Sequence, residues 1–389
     1  MARSKWLLLA VLILLVLSAC GDNISVVSVT TPSPGSSNFV TTASAEIVGD
    51  PVPEYYYYVA ETADSGDSWN LLMNKQDRSG KKTTNSVTLN CVALKTCFNL
   101  NNVADATSTK YYELMREGSK SWKYFPDINM SGGDVSCISR TECWRLFNDG
   151  SKGEVSSTKD GGATWTNLTR TGSLKVSEAN KPLYLNSRRN DKIESEFAFI
   201  HAISCLNASR CVTVGEGRSF RTVDGGQTWD WFPTDGSWRF TDLICFDELT
   251  CYGFSPDFIA VTHDFGGSWQ SFNLPGKESY PSFRGNSCPN VSFCVVGGDR
   301  GYFLTTNDKG TTWLKQSLPN DKILEDVSCP DDTTCYATIS DQSLLITHDS
   351  GKTWTPKPVK LENFDGYNSR ISCPTTTNCL ISYTKLDYN

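Results

Sequence analysis

The chain has no aliphatic run longer than the eleven residues from Leu7 to Leu17, and a bilayer-crossing helix needs about 20. Basic runs are equally scarce. The sequence sets 36 Lys plus Arg against 43 Asp plus Glu, a net charge of −7, and nowhere gathers more than two or three cations in succession. An acidic chain of this pattern is a poor nucleic-acid binder. Histidine is limited to His201, His263 and His348, which leaves cysteine few partners for a zinc site. Arginine is missing altogether between Arg3 and Arg78. Neither a cofactor nor a metal is expected.

What is present begins with an address. Arg3 and Lys5 precede the eleven-residue run, which has the length of a signal-peptide core. The run ends in Leu17-Ser18-Ala19-Cys20, which resembles the bacterial lipobox. The resemblance implies removal of residues 1–19 and diacylation of Cys20. Gly21 stands at the second mature position, where retained lipoproteins carry aspartate. The expected place is therefore the cell envelope, facing away from the cytoplasm, and the outer membrane in a cell with two. Residues 20–53 are rich in Ser, Thr, Val and Pro with Phe39 as their one aromatic, a composition that suits a flexible tether. Without Arg3 and Lys5 the balance is 34 cations to 43 anions.

From residue 54 onward two patterns alternate. The first reads Ser/Thr-x-Asp-x-Gly-x-Ser/Thr-Trp. It is intact at 62–69, 158–165, 222–229, 262–269, 306–313 and 347–354, and a worn copy ends at Trp122 with Glu117 and Ser119 in the Asp and Gly places. Tryptophans recur at spacings of 53, 43, 64, 40, 44 and 41 residues, which suits one four-stranded sheet per period. The pattern describes a hairpin turn. Asp accepts backbone N–H groups, Gly permits a positive φ, the hydroxyls satisfy nearby main chain, and Trp buries a large ring. Repetition argues against a catalytic role for this Asp, because an active site is needed once and a turn is needed in every sheet.

The second pattern is Cys-x5-Cys. Cys91 and Cys97, Cys137 and Cys143, Cys205 and Cys211, Cys245 and Cys251, Cys288 and Cys294, Cys329 and Cys335, and Cys373 and Cys379 account for all cysteines except Cys20. An exported chain with an even set at constant spacing reads as a disulfide framework. Zinc is the weaker reading, since structural sites use tighter spacing and more histidine. Each small closed loop stabilises by about 2 kcal/mol in the loop-entropy picture.

The boxes resemble the BNR or Asp-box repeats of sialidases, of sortilin-type receptors and of the propellers that assist photosystem II assembly. The resemblance spans roughly residues 55–385 and implies an all-β, seven-bladed β-propeller. It places each box at the turn from the third to the fourth strand of a blade, on the rim away from the usual binding face. The first strand of each blade then ends at the first cysteine of a pair and the second begins at the other, so the disulfides share that rim. Because the chain opens with a box and closes with a cysteine pair, 55–60 and 69–74 complete a blade begun by 371–383. Two strands from each end leave no open edge.

Function is then expected on the opposite face. Pair-to-pair spacing jumps to 68 between Cys137 and Cys205, an insertion at about 171–197 that holds Tyr184, Arg188 and Arg189, and long loops in compact domains are often functional. Arg218, Trp238, Arg239, Tyr280, Arg284, Arg300, Phe364 and Tyr367 join them as binding candidates, being of the types enriched at interface centres. No catalytic residue is nominated. The expected role is a non-catalytic binding or assembly scaffold that engages a protein or glycan, with the membrane reached through the lipid. The alternative is a sialidase-type glycoside hydrolase, which needs an arginine triad, a tyrosine nucleophile with its glutamate, and an acidic residue. The family sets a Phe-Arg-Ile-Pro motif ahead of the first box, where this chain has no arginine. Phe220-Arg221 and Phe283-Arg284 lack the Ile-Pro.

Non-reducing peptide mapping is expected to find every cysteine bridge within its own Cys-x5-Cys unit. A bridge between units, or zinc by elemental analysis, would contradict the framework.

Overall fold

Each cysteine pair folds as a hairpin whose two strands place the cysteines opposite one another. Cys205 pairs in register with Cys211, Cys245 with Cys251 and Cys137 with Cys143. Six bridges close at Cα separations of 4.0 to 4.2 Å, those of Cys137–Cys143, Cys205–Cys211, Cys245–Cys251, Cys288–Cys294, Cys329–Cys335 and Cys373–Cys379. Cys91 and Cys97 occupy the same register, but their side chains lie outside the described residues. This computed structural model describes residues 54–77, 88–93, 96–101, 110–115, 123–127, 133–148, 152–178, 180–181, 197–272, 274–275, 282–318, 322–364, 366–367 and 369–387. The signal segment with Cys20, the tether and the worn box at Trp122 fall outside them. Among the described residues no helix is long and apolar enough to cross a membrane.

The hairpins extend into seven sheets, six antiparallel ones of four strands and one of five with a parallel outermost strand. Their inner strands are Thr88–Ala93, Gly133–Cys137, Ile200–Cys205, Asp242–Cys245, Phe283–Ser287, Leu324–Ser328 and Arg370–Ser372. The sheet begun by Arg370–Ser372 is completed by Cys379–Asp387, then by Glu54–Thr62 and Asn70–Asp77 from the other end of the chain. Tyr58 stacks on Tyr383 across that seam with ring centroids 4.8 Å apart. From sheet to sheet the inner strands adjoin in chain order, Phe283–Ser287 reaching Asp242–Cys245 through the bond from Asn286 to Asp242, and Arg370–Ser372 adjoins Thr88–Ala93 to close the circuit. We number these blades one to seven from Thr88–Ala93.

Burial explains the apolar alternation. In Cys211–Gly215, Cys294–Gly298 and Cys335–Ile339 every residue is buried, because both faces of a middle strand meet a neighbouring blade. The period of two sorts residues between neighbours. Cys211 joins the core shared with blade two, whereas Val212 and Val214 join the core shared with blade four. Likewise Val295 packs towards blade six and Val296 towards blade four.

The box is a turn locked twice. In blade three the Thr222 hydroxyl donates to Asp224 Oδ1 at 2.9 Å and accepts from the Gly226 N–H at 2.8 Å. Asp224 in turn accepts from the Thr228 N–H and hydroxyl at 2.8 and 2.6 Å. The same bonds recur at Asp64, Asp160, Asp264, Asp308 and Asp349. The fourth and fifth residues both take left-handed φ, as at Phe265 (55°) and Gly266 (84°) or Ser350 (61°) and Gly351 (75°). The fourth residue then turns its N–H onto the cysteine loop of its own blade. Ser65 reaches Thr377, Gly161 reaches Thr141, Gly225 reaches Ser209, Phe265 reaches Leu249, Lys309 reaches Ser292 and Ser350 reaches Thr333, at 2.9 to 3.3 Å. Box and disulfide therefore share one rim and bind each other there.

The fifth residue serves packing between blades. A Cβ on Gly310 would meet the Phe272 ring of blade four at 2.5 Å. Gly310→Ala is expected to cost about 2 kcal/mol or more through strain and overpacking. Gly236, around which nothing lies within 4 Å of a built Cβ, should tolerate Ala within about 0.5 kcal/mol. Chemical denaturation of the two variants checks the contrast.

Candidate functional site

Six of the seven inner strands end at or one residue before a cysteine, so their remaining side chains converge on the ring axis. There they enclose a cavity of about 780 Å3. Its walls carry Asp134, Asp242, Asp326, Asn286, His201 and Arg370, among others. The three aspartates hold one register, three residues ahead of the first cysteine in blades two, four and six. Each links its blade to the next. Asp134 accepts from the Val135 N–H through Oδ1 and from the Ile203 N–H through Oδ2, both at 2.8 Å. Asp326 Oδ2 accepts from the Ile371 N–H at 2.9 Å. Asp242 accepts from the Leu243 N–H at 2.7 Å and from the Asn286 amide at 2.8 Å.

One layer closer to the rim, serine does the same work. The hydroxyls of Ser136, Ser204, Ser287 and Ser328, each one residue before a cysteine, accept from the N–H of Cys205, Cys245, Cys329 and Cys373 in the following blade at 2.9 to 3.0 Å. The axis is thus stitched blade to blade by side-chain acceptors.

Electrostatics divides the aspartates into two populations. Those of the boxes are exposed or half-buried, and hydroxyl and amide donors hold them down, to about 2 at Asp160 and Asp349. Those of the axis move the other way. Burial, and then the charge of Asp242, push Asp134 up to about 8, and burial pushes Asp326 up to about 6. Burial raises Asp242 as well. The rise follows because amide donors alone do not replace the hydration a carboxylate loses.

Around the channel mouth, away from the boxes, sits a second network. Arg284 lines the cavity, pairing its Nε with Asp299 and its Nη1 with Glu325 at 3.2 Å. Glu325 is almost wholly buried. Burial raises its carboxyl while Arg284 and Arg370 oppose the rise. His201 stands 3.8 Å from Glu216, which lies 3.7 Å from Arg239. Burial favours the neutral imidazole, and Glu216 opposes that preference.

The sequence candidates separate in space. Arg284 reaches the channel, and Arg239 comes within one residue of it through Glu216 and His201. Arg239 and Arg300 are exposed, the latter in a turn at φ 56°, and Tyr367 is 48 % exposed. Three others are structural. Phe364 is buried edge-on against Tyr383, 5.2 Å between centroids, which takes it off every surface. Arg218 is buried, donates to the Glu216 carbonyl and lies over the Phe199 ring. Trp238 is half-buried against Phe258 and Phe240. Tyr184, Arg188, Arg189 and Tyr280 lie outside the described residues. The insertion itself begins as structure. Its segment Ser173–Val176 adds a parallel fifth strand beside Thr228–Pro233 on the outer edge of blade three, where Leu174 and Val176 help cover the core. The one sequence signal for the axial aspartates is Asp-x-x-Cys, which occurs at three of the seven first cysteines, and His201 has none.

Arg284 and Arg300 are expected to behave differently on removal. Arg284→Ala strands the Glu325 carboxylate and should cost about 2 kcal/mol, less than the loss of a fully buried pair because Arg370 stays beside it. Arg300→Ala should stay within about 0.5 kcal/mol. Thermal unfolding of both variants checks the difference.

Comparison with known proteins places the fold. No protein family and no curated protein matches the sequence. Solved structures do. The chain is similar to YCF48 bound to D1 peptide, with a TM-score of 0.52 and 13 % identity over 78 % of this chain and 95 % of that one. YCF48 from Cyanidioschyzon merolae gives 0.52 and 13 %, with 78 % and 97 % covered. A catalytically inactive virginiamycin B lyase from Staphylococcus aureus with quinupristin gives 0.51 and 9 %, with 77 % and 96 % covered. Identities this low carry the fold and nothing further, and that fold, together with the closed circuit of sheets, makes the chain a β-propeller.

Proposed function

We propose that the chain is a non-catalytic binding propeller of the cell envelope, held to a membrane through lipid on Cys20, and that it engages a protein segment over the channel mouth on the face opposite the boxes. The observation that carries this reading is the division of the two rims. One rim is occupied by box turns bonded to disulfide loops in six blades. Chain-specific side chains are left to the other, where Arg239, Arg300 and Tyr367 are exposed. Such residues are suited to the energetic centre of an interface. A propeller of similar fold, YCF48, is seen with a D1 peptide, which supports a peptide-sized partner here.

A glycosidase reading draws on the raised axial carboxylates, since catalytic acids are tuned in that way. The oxygens concerned are occupied by backbone and amide donors. Among the described residues the cavity walls carry two arginines, Arg284 and Arg370, and no tyrosine, which lends the sialidase constellation no support. A similar fold also houses a lyase, and fold by itself decides nothing about chemistry.

Crosslinking capture from the native envelope, with wild type and with Arg239→Ala, Arg300→Ala and Tyr367→Ala combined, tests the proposal. The combined variant is expected to keep its unfolding midpoint and lose at least about tenfold in partner recovery, the loss of one modest hot spot. Equal recovery by both proteins refutes the assigned face. Sialic-acid release by the wild type refutes the non-catalytic reading.

A further inference from the structure

We propose that the inner strand of blade five, Phe283–Ser287, is an open pairing edge inside the channel, and that it takes an extended, basic peptide segment of the partner by strand addition. The proposal rests on the protein-binding reading above and deepens it. What carries it is a break in the stitching of the axis. Along each inner strand, the cysteine and the residue two places before it turn their N–H groups off the inner edge of the sheet. In blade three these are Ile203 and Cys205, claimed by Asp134 and Ser136 of blade two. In blade seven they are Ile371 and Cys373, claimed by Asp326 and Ser328 of blade six. Leu243 and Val327 are held by the aspartate of their own strand, and Cys245 and Cys329 by a serine of the preceding blade.

Blade five departs at both places. Its preceding aspartate, Asp242, commits Oδ1 to the Leu243 N–H and Oδ2 to the side-chain amide of Asn286. Ile244 stands where Ser136, Ser204, Ser287 and Ser328 stand in their own blades, and it has no acceptor to offer. Among the described residues no side chain therefore claims the N–H of Asn286 or of Cys288. Ser287 pairs with Val295 on the other side, which leaves its two neighbours facing the free edge, since successive residues of a strand face opposite ways. Space lies beside them. Blade six is tight against the strand, so that a Cβ on Gly285 would meet the Asp326 Cα at 2.5 Å. Towards blade four the cavity reaches in between the blades, to Ile244, Phe254, Phe283 and Pro289.

An unpaired strand edge is a template for another strand. Donors on alternate residues stand about 7 Å apart along an extended chain. Alternate carbonyls of an extended peptide have the same spacing, so one segment meets both donors. The cavity of about 780 Å3 is of the size that encloses a drug-sized ligand, which a short extended segment matches. Its walls bring Asp134, Asp242 and Asp326 towards the side chains of that segment. Of the two wall arginines, Arg284 is engaged by Asp299 and Glu325. Arg370 donates Nη1 to the carbonyls of Glu325 and Ser369. Lysine or arginine on the segment therefore meets complementary charge, and an acidic residue meets repulsion.

The test reads amide hydrogen exchange residue by residue in the full chain, alone and with the acetylated, amidated peptide Lys-Val-Lys-Val as probe. In the free chain Asn286 and Cys288 are expected to exchange at least about tenfold faster than Ile203 and Cys205, the effect of one net hydrogen bond. The probe should slow both. Methylating its backbone nitrogens at alternate residues should abolish the slowing in one of the two registers, because pairing needs the donors that face the strand. Asn286→Ile combined with Ile244→Ser gives this junction the residues of its neighbours. That variant should protect both amides and bind the probe at least about tenfold more weakly. Equal exchange in the free chain, no slowing by the probe, equal slowing by both methylated registers, or undiminished affinity in the double variant would each overturn the strand addition. If the double variant does not fold, the wild-type measurements decide by themselves. A native partner captured equally by wild type and this variant overturns the strand addition alone, since the mouth assignment is decided by Arg239, Arg300 and Tyr367.

Discussion

Because the second and third strands of every blade described in full bury both of their faces, no sheet in this protein can satisfy its own apolar surface. Val212 and Val214 need blade four, while Cys211, one position earlier in the same strand, needs blade two. Burial of this kind is the main favourable term in folding, and here each increment is shared between two sheets. The last blade has the same requirement, and the N-terminal strands meet it by pairing Glu54–Thr62 with Cys379–Asp387. The first and last described strands are thereby fixed at the ring seam, and all later placement follows from that closure.

The same strand geometry sorts the rims. A strand that ends at a cysteine delivers the bridge to one rim, so the residue three positions earlier is carried to the axis. The box, at the far end of the third strand, returns to the cysteine rim and donates its fourth N–H to the loop inside the disulfide. Two motifs far apart in sequence, such as Ser65 and Thr377, are joined by one local rule repeated blade after blade. Beyond that rule the rim has little freedom left, which is why the variable side chains gather at the other end of the channel.

One residue type serves two opposed purposes. In the boxes, aspartate is ionised in water and surrounded by hydroxyl and amide donors, a setting that favours the charge. At the axis, aspartate bridges blades with similar donors but is withdrawn into the cavity wall with other carboxyls nearby, a setting that resists the charge. The difference lies in the surroundings and not in the bonds, so the axial residues are the ones whose state responds near neutral pH.

The sequence by itself determined the repeat. Six intact boxes, seven cysteine pairs at constant spacing and the order of the two motifs specified the strand count per unit, the local bridges seen at six pairs and the two-plus-two closure, because each of these depends on contacts within a blade or on simple chain order. It also carried the axial signal, Asp-x-x-Cys at 134, 242 and 326, in a form that has no meaning until the strands are arranged around an axis. Tertiary structure alone decided which arginines and aromatics were left for function. Arg218, Arg284, Trp238 and Phe364 look alike in a list of exposed-loop residue types, yet Phe364 packs against Tyr383 from the other end of a sheet and Arg284 answers Glu325 one blade away. Such pairings are set by the neighbour that a closed ring brings alongside, and separation along the chain says nothing about which neighbour that will be.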